Sequence, residues 1–373
     1  MSLMPRALIT VRCLLITFLL LSCTPQAATQ HATRTTLLLY RFDPPAFLEF
    51  SGDFQLLEEI PFSVPPSCGL NNTFPAPAGN FLAVELNCPN GQTVLFLDTV
   101  SGSTTQPVTD SDSHFLAWTS DGKAAYLKIN LLGSPRVVRA HVNGRRDEIS
   151  IPEYTYDLSV NPVTDNFTFT LSRGLGYGSE LHVTQYAARN TQRLYADQFN
   201  YISFARFSRD GKQIAFIKIP DSQTPFTVGE LWVMDPDGSN PRKLADADAG
   251  HGYAANWSPD GKWIAFVARE NPEEENANHS SDALISNINI VEVENARLVQ
   301  ITNFDNTRVE TPHWSPDGNT LAFTVVINGR MEVQIAEIAG RAGSNESGEP
   351  YRDAGETRFL ITESSCCPAW MRK

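Results

Sequence analysis

The sequence is short of most features that mark a nucleic-acid binder, a membrane-spanning protein or a common hydrolase. Lys and Arg number 29 against 42 Asp and Glu, a formal net charge of −13. That leaves no basic stripe to follow a phosphate backbone, which excludes nucleic acid as a partner. The apolar run CLLITFLLL, from Cys13 to Leu21, falls well short of the about 20 residues a helix needs to cross a bilayer. Cysteine is sparse, six residues in all, and no Cys-x-x-Cys pair offers zinc its usual spacing. No Gly-x-Ser-x-Gly nucleophile elbow occurs. Charged residues make up 19% of the chain and hydrophobic residues 42%, which excludes disorder and leaves enough apolar surface for a large core. What the chain does have is punctuation. With 24 Pro and 23 Gly in 373 residues, it reads as many short strands joined by turns.

The N-terminus reads as a targeting segment. Arg6 and Arg12 supply positive charge, the short apolar run follows, and it ends in Leu20-Leu21-Ser22-Cys23. This ending resembles a bacterial lipobox. The resemblance implies a signal peptide over 1–22, lipidation of Cys23, and attachment to a membrane of the cell envelope on its periplasmic or extracellular side. The alternative is an ordinary signal peptide cleaved near Ala27-Ala28. Residues 23–36 are polar and without pattern and read as a flexible tether. Cys13 and Cys23 belong to this region. Cys68, Cys88, Cys366 and Cys367 remain, and in an exported chain they point to disulfides rather than metal.

Internal repetition decides the fold. A ten-residue pattern recurs as PAPAGNFLAV from Pro75, WTSDGKAAYL from Trp118, VNPVTDNFTF from Val160, FSRDGKQIAF from Phe207, WSPDGKWIAF from Trp257 and WSPDGNTLAF from Trp314. A seventh copy opens at Trp370. An apolar residue closes one strand, and Ser-Pro-Asp-Gly makes a tight turn with Gly free to take positive φ. A second strand then alternates burial, as at Ile264 and Phe266. Third strands follow, such as ELWVMD from Glu230 and INIVEV from Ile288, and shorter fourth strands, such as RLVQIT from Arg297. Four antiparallel strands every 40–50 residues is the unit of a β-propeller blade. LLLYRF from Leu37 and FQLLEEI from Phe54 read as third and fourth strands without a first and second, and Cys366–Trp370 reads as a lone first strand. Joining the two ends gives an all-β propeller over 37–373 with seven blades, one of them shared between the termini. Six blades with extra edge strands is the alternative.

The Trp-Ser-Pro-Asp-Gly-x-x-[Ile/Leu]-Ala-Phe repeat resembles that of TolB-type propellers of exported bacterial proteins. It is strong at Phe207, Trp257 and Trp314 and weak at Pro75 and Val160. The resemblance covers about 36–373 and implies a monomeric propeller that binds an envelope protein or a glycan. It does not extend to the α/β domain that precedes the propeller in TolB itself.

Little in the sequence points to catalysis, and no cofactor is implied. Gly174 to Ser179 is a glycine-rich loop between strands, with no helix to cradle a phosphate. Asp235-Pro-Asp-Gly-Ser-Asn240 imitates half a calcium loop but has Ala247 where the bidentate Glu belongs. His114 and His313 fall on or beside first strands. A His cluster in the channel would support the alternative function, a metal-dependent lyase or hydrolase acting at the channel mouth. The motif aspartates Asp121, Asp210, Asp260 and Asp317 read as turn residues. Cys68 and Cys88 flank a predicted hairpin, which places them for a disulfide. The irregular loops should all open on one face of the disc. The candidate ligand surface there comprises Glu270, Glu273, Glu274, Glu275, His279 and Asp282, with Asp246, Asp248 and His251 from a neighbouring loop and Phe226 beside them. Its acidity suggests a basic partner or a divalent cation.

Overall fold

The computed structural model describes residues 35–109, 112–131, 134–152, 154–184, 190–222, 224–248, 254–338, 357–361 and 364–372. They form seven four-stranded antiparallel sheets, the blades of a seven-bladed β-propeller. Blade 1 spans 69–105, blade 2 112–149, blade 3 155–197, blade 4 200–248, blade 5 256–300 and blade 6 308–359. Blade 7 is composite: the strand Ser365–Arg372 pairs with Thr35–Arg41, followed by Ala46–Ser51 and Leu56–Pro61.

Two details of the sequence reading are corrected here. The segment from Leu37 is a second strand, not a third, because Ala46–Ser51 turns back on it through the Phe42–Pro45 turn and is itself the third. The first-to-second connection that carries the Ser-x-Asp-Gly signature in other blades is missing here, because blade 7 takes its first strand from the other end of the chain, so nothing in the sequence marks Leu37 as a second strand. The propeller also begins at Thr35, inside the stretch read as tether, since Thr35 and Thr36 pair with Arg372 and Met371.

The repeat motif works locally as a turn and globally as a clamp. In the turns, Ser208, Ser258, Ser315 and Thr119 donate to Asp210, Asp260, Asp317 and Asp121, 2.5–2.7 Å away. Each carboxylate also accepts the backbone N–H two residues on. The Ser208 and Thr119 hydroxyls hold Asp210 and Asp121 below the usual carboxylate range. These aspartates are spent on turn geometry.

The motif tryptophans join blades. Trp118 Nε1 donates to the Phe74 carbonyl at 2.9 Å, Trp257 to Arg206 at 3.0 Å, Trp314 to Asn256 at 3.0 Å and Trp370 to His313 at 3.2 Å. In every case the acceptor is the residue just before the motif in the preceding blade. One side chain thus fills the space between two sheets and satisfies a carbonyl at the end of the neighbouring strand. Apolar clusters follow the same logic. One combines Trp263, Val267 and Ile290 of blade 5 with Trp314, Phe323 and Val325 of blade 6, so the core is a succession of sheet-on-sheet layers around the ring.

First strands of neighbouring blades touch one another and form the inner wall. Six of the seven first-strand pairings carry a mid-strand register shift, and Phe204, Thr311 and Cys367 take positive φ at these bulges. A bulge leaves backbone donors outside the ladder. Neighbouring blades supply the acceptors: Glu85 Oε1 takes the Phe115 N–H at 2.9 Å and Asp157 Oδ2 the Ala205 N–H at 3.0 Å.

Candidate functional site

Antiparallel order puts the Ser-x-Asp-Gly turns and the third-to-fourth turns on one face of the ring. The second-to-third loops and the links between blades open on the other. The two faces differ in charge. On the turn face, Lys212 and Lys262 lie 3.4 and 4.0 Å from the motif aspartates Asp210 and Asp260. On the loop face, among the described residues, the connections carry Asp43, Asp221, Glu270, Glu273, Glu274, Glu275, Asp282 and Asp305 against Arg173, with Arg308 and Arg330 at the strand ends beside them.

The dominant feature of the loop face is the blade 5 insertion, 270–285, which contains two short 3₁₀ turns, Glu275–Asn278 and Ser281–Ala283. It is pinned from below and from both sides. Ala277 and Leu284 are buried beneath it. Asn271 donates to the Ala283 carbonyl at 2.9 Å and accepts the Ile285 N–H at 3.0 Å, closing the base of the loop. Arg269, itself buried, donates to the Phe226 carbonyl of blade 4, and the Phe226 N–H donates back to the Asn278 carbonyl at 3.1 Å. On the other side, Arg308 of blade 6 donates to the Ser281 carbonyl and to Asp282. Backbone bonds hold the loop, so its acidic side chains are left to solvent. Glu270, Glu273, Glu274, Glu275, His279 and Asp282 are all exposed, and the carboxylates of Glu270, Glu273 and Glu275 have no hydrogen-bond or ion-pair partner among the described residues.

The structure does not assemble every residue expected at this surface. Asp246 and Asp248 are not in a loop. They extend the fourth strand Arg242–Asp248, paired with Glu230 and Val228. Asp246 is ion-paired with Lys243 at 2.7 Å on the outer edge, while Asp248 is buried. The alternation of small apolar and acidic residues in that segment is a strand pattern that the sequence reading took for a loop. Phe226 is half-buried and serves the insertion through its backbone. His251 lies outside the described residues, as does Cys23.

Sequence reasoning missed an aromatic group on the same face. Tyr154, Leu175, Tyr177 and Phe199 are 70, 59, 66 and 74% exposed. They come from the link into blade 3, the second-to-third loop of blade 3 and the link into blade 4. They are held as firmly as the acidic loop. Asp221 Oδ2 of blade 4 accepts the Gly176 and Gly178 N–H groups at 2.7 and 2.9 Å, and its own N–H donates to the Phe199 carbonyl at 3.0 Å. Gly178 is obligatory, because at φ +69° a β-carbon would run into the Asp197 carbonyl. Asp197 Oδ1 caps the Phe199 and Asn200 N–H groups, and its Oδ2 meets Lys218 Nζ at 2.8 Å. Burial works against both charges of this pair, but their mutual bond prevails: Asp197 is held below and Lys218 above its ordinary range. The available signal was three aromatic rings in turn segments where polar residues are the norm. The glycine-rich stretch was read only for phosphate.

The channel histidines stay apart. First strands run from the loop face to the turn face, and His114 lies near the start of Asp112–Trp118 while His313 lies near the end of Arg308–Trp314. His114 Nε2 is 3.3 Å from Asp112, and His313 Nδ1 is 3.2 Å from Asn256 Nδ2. Enclosure by the surrounding strands pushes the His313 pKa down to about 4. Among the described residues no three His, Cys, Asp or Glu side chains are grouped to hold a metal ion. The run Asp235–Asn240 satisfies itself as a turn: Ser239 and Asn240 donate to Asp235, and Ser239 to Asp237. Cys68 and Cys88 form a disulfide across the ends of the blade 1 hairpin, and the adjacent Cys366 and Cys367 form another.

No family model matches the chain. A curated relative, the uncharacterized protein YidR of Escherichia coli strain K12, is 34% identical over 64 residues, 17% of this chain. The match spans only 14% of that relative's length. Among solved structures, an oligogalacturonate lyase in complex with manganese superposes with a TM-score of 0.58 at 12% identity, over 81% of this chain and 85% of that one. TolB from Acinetobacter baumannii gives 0.47 at 17% identity, over 87% and 78%. The fold is that of a seven-bladed β-propeller. At such identities the likeness extends to the fold alone, and a fold does not by itself assign a function.

Proposed function

We propose that the chain is an exported binding module of the bacterial cell envelope, held to a membrane through Cys23, which presents its loop face to a partner. One observation carries this reading. Loops of blades 3 to 6 are wired to one another by hydrogen bonds, through Asp221, Phe226, Arg269 and Arg308, while the Glu270, Glu273 and Glu275 carboxylates of the insertion are left unpaired and exposed. A surface held rigid with its charges unspent loses little entropy on binding and attracts a complementary charge at long range. Loops on such a scaffold are where recognition usually resides.

The test is capture of crosslinked partners from envelope fractions, comparing the wild type with a variant carrying Glu273→Gln, Glu274→Gln and Glu275→Gln. All three residues are exposed, so the melting temperature should be unchanged. Capture by the wild type should fall as salt is raised, and the variant should capture less at low salt. Equal capture by the two proteins at low salt would remove the acidic loop from the binding surface.

A further inference from the structure

The exposed rings beside the acidic loop narrow the partner. We infer that the loop face docks a protein segment in which an aromatic or large apolar residue is flanked by Lys or Arg. The aromatic residue would sit among Tyr154, Tyr177 and Phe199, and the cations would lie along the blade 5 insertion. This rests on the loop face being the binding surface.

Four large apolar side chains, each more than half exposed, project from three successive connections on one face. Scattered exposed apolar residues need no explanation, but four on successive connections of one face do. The group is also costly to present. Asp197 and Asp221 are committed to fixing the Phe199 link and the Gly174–Gly178 loop, and the Tyr177 loop admits no side chain at Gly178. Pre-set aromatic rings bury large area at small entropic cost and are the usual anchors of protein interfaces.

The aromatic loop and the acidic loop are tied to one connection. Asp221 and Phe226 belong to the same connection in blade 4: the first grips the aromatic loop of blade 3, and the second grips the acidic loop of blade 5. The spacing between anchor and charge is therefore fixed by the scaffold. Charge complementarity selects the occupant. A polyanionic sugar would meet Glu270, Glu273, Glu275 and Asp282 and be repelled. A neutral glycan could stack on the rings but would leave the carboxylates unused. A cationic segment with an aromatic residue uses both halves.

The experiment uses three synthetic decapeptides and fluorescence anisotropy at low and high salt. One peptide alternates Lys with Trp, a second replaces every Trp by Ser, and the third replaces Lys by Glu. Wild-type protein should bind the Lys/Trp peptide at least about tenfold more tightly than the Lys/Ser peptide, equivalent to one well-packed ring, and should not bind the Glu peptide. Tyr177→Ser with Phe199→Ser should erase the preference for Trp while keeping the salt dependence. The Glu273, Glu274 and Glu275 to Gln variant should keep the preference and lose most of the salt dependence. Both variants alter exposed side chains and should melt as the wild type does. If the Lys/Ser peptide binds as tightly as the Lys/Trp peptide and the Gln variant weakens both, the acidic face stands as a binding surface and the aromatic anchor is overturned. Binding by neither peptide would overturn both readings. Ring-dependent binding of a neutral glucan without binding of the Lys/Trp peptide would overturn the peptide assignment in favour of a sugar.

Discussion

Deleting residues 365–373 should cost about as much as the fold has to give. The strand Ser365–Arg372 is the inner strand of blade 7 and pairs with Thr35–Arg41 through six register positions. Every other blade is continuous in the chain. Here alone the ring is held by hydrogen bonds and packing. Trp370 and Met371 are buried, and losing them forfeits about 2–3 kcal/mol each. The ladder adds about 1 kcal/mol for each bond. The total is on the order of 10 kcal/mol, against a domain stability of about 5–15 kcal/mol. The truncated protein should fail to give a folded monomer and should aggregate through the bare edge of Leu37, Leu38 and Leu39. A synthetic peptide of residues 365–373, added in trans, should recover part of the folded protein. A milder perturbation separates the hydrogen bond from the strand. Trp370→Phe keeps an aromatic ring but leaves the His313 carbonyl without its donor, which should cost about 1–3 kcal/mol. This would appear as a lower urea midpoint at constant slope. A truncated protein that melts with the wild type, or a Trp370→Phe midpoint equal to it, would refute this account of closure.

Two further outcomes are expected. Burial holds the His313 pKa near 4 in the folded state, while an unfolded histidine titrates near about 6.5, so the unfolded chain takes the proton first. This contribution is complete above about pH 6.5 and is lost as pH falls towards about 4, by up to about 3 kcal/mol, less for the part of the ring that still meets channel water. His313→Gln should flatten the pH dependence of the urea midpoint over that window, and an unchanged slope would assign it to other groups. At the other end of the chain, wild-type protein should sediment with membranes and Cys23→Ser should release it to the soluble exported fraction. Wild type found wholly in the soluble fraction would remove the lipid anchor.

The repeat was legible because its chemistry is local. Ser/Thr-x-Asp-Gly states a turn within five residues, and the alternation after it states a strand, so four clear copies, two degenerate ones and a truncated seventh yield seven blades. Blade 7 was misread in strand order because its first and second strands lie at opposite ends of the chain, with no signature turn between them. The acidic insertion was legible as a loop, but its rigidity was not. Its restraints are backbone carbonyls reached by Arg269 and Arg308 from neighbouring strands and blades, and a carbonyl leaves no trace in a sequence. Asp246 and Asp248 show the converse limit: strand pairing with Glu230 and Val228 carries the ladder past the point where composition suggests it should stop. The rings of Tyr154, Tyr177 and Phe199 were in plain view. Only the fold brings residues 154, 177 and 199 to one face.

The composite blade also sets an order of events. Among the described residues Thr35–Arg41 is the earliest strand, and its inner partner, Ser365–Arg372, is the latest. A chain threaded across a membrane N-terminus first would deliver six blades while the seventh still lacked its inner strand. Until that strand arrives, Leu37, Leu38 and Leu39 have an open edge, and the loop face has no closed ring beneath it. A product broken off before Ser365 should keep that edge open to proteolysis, and the closed ring should appear only with the final strand.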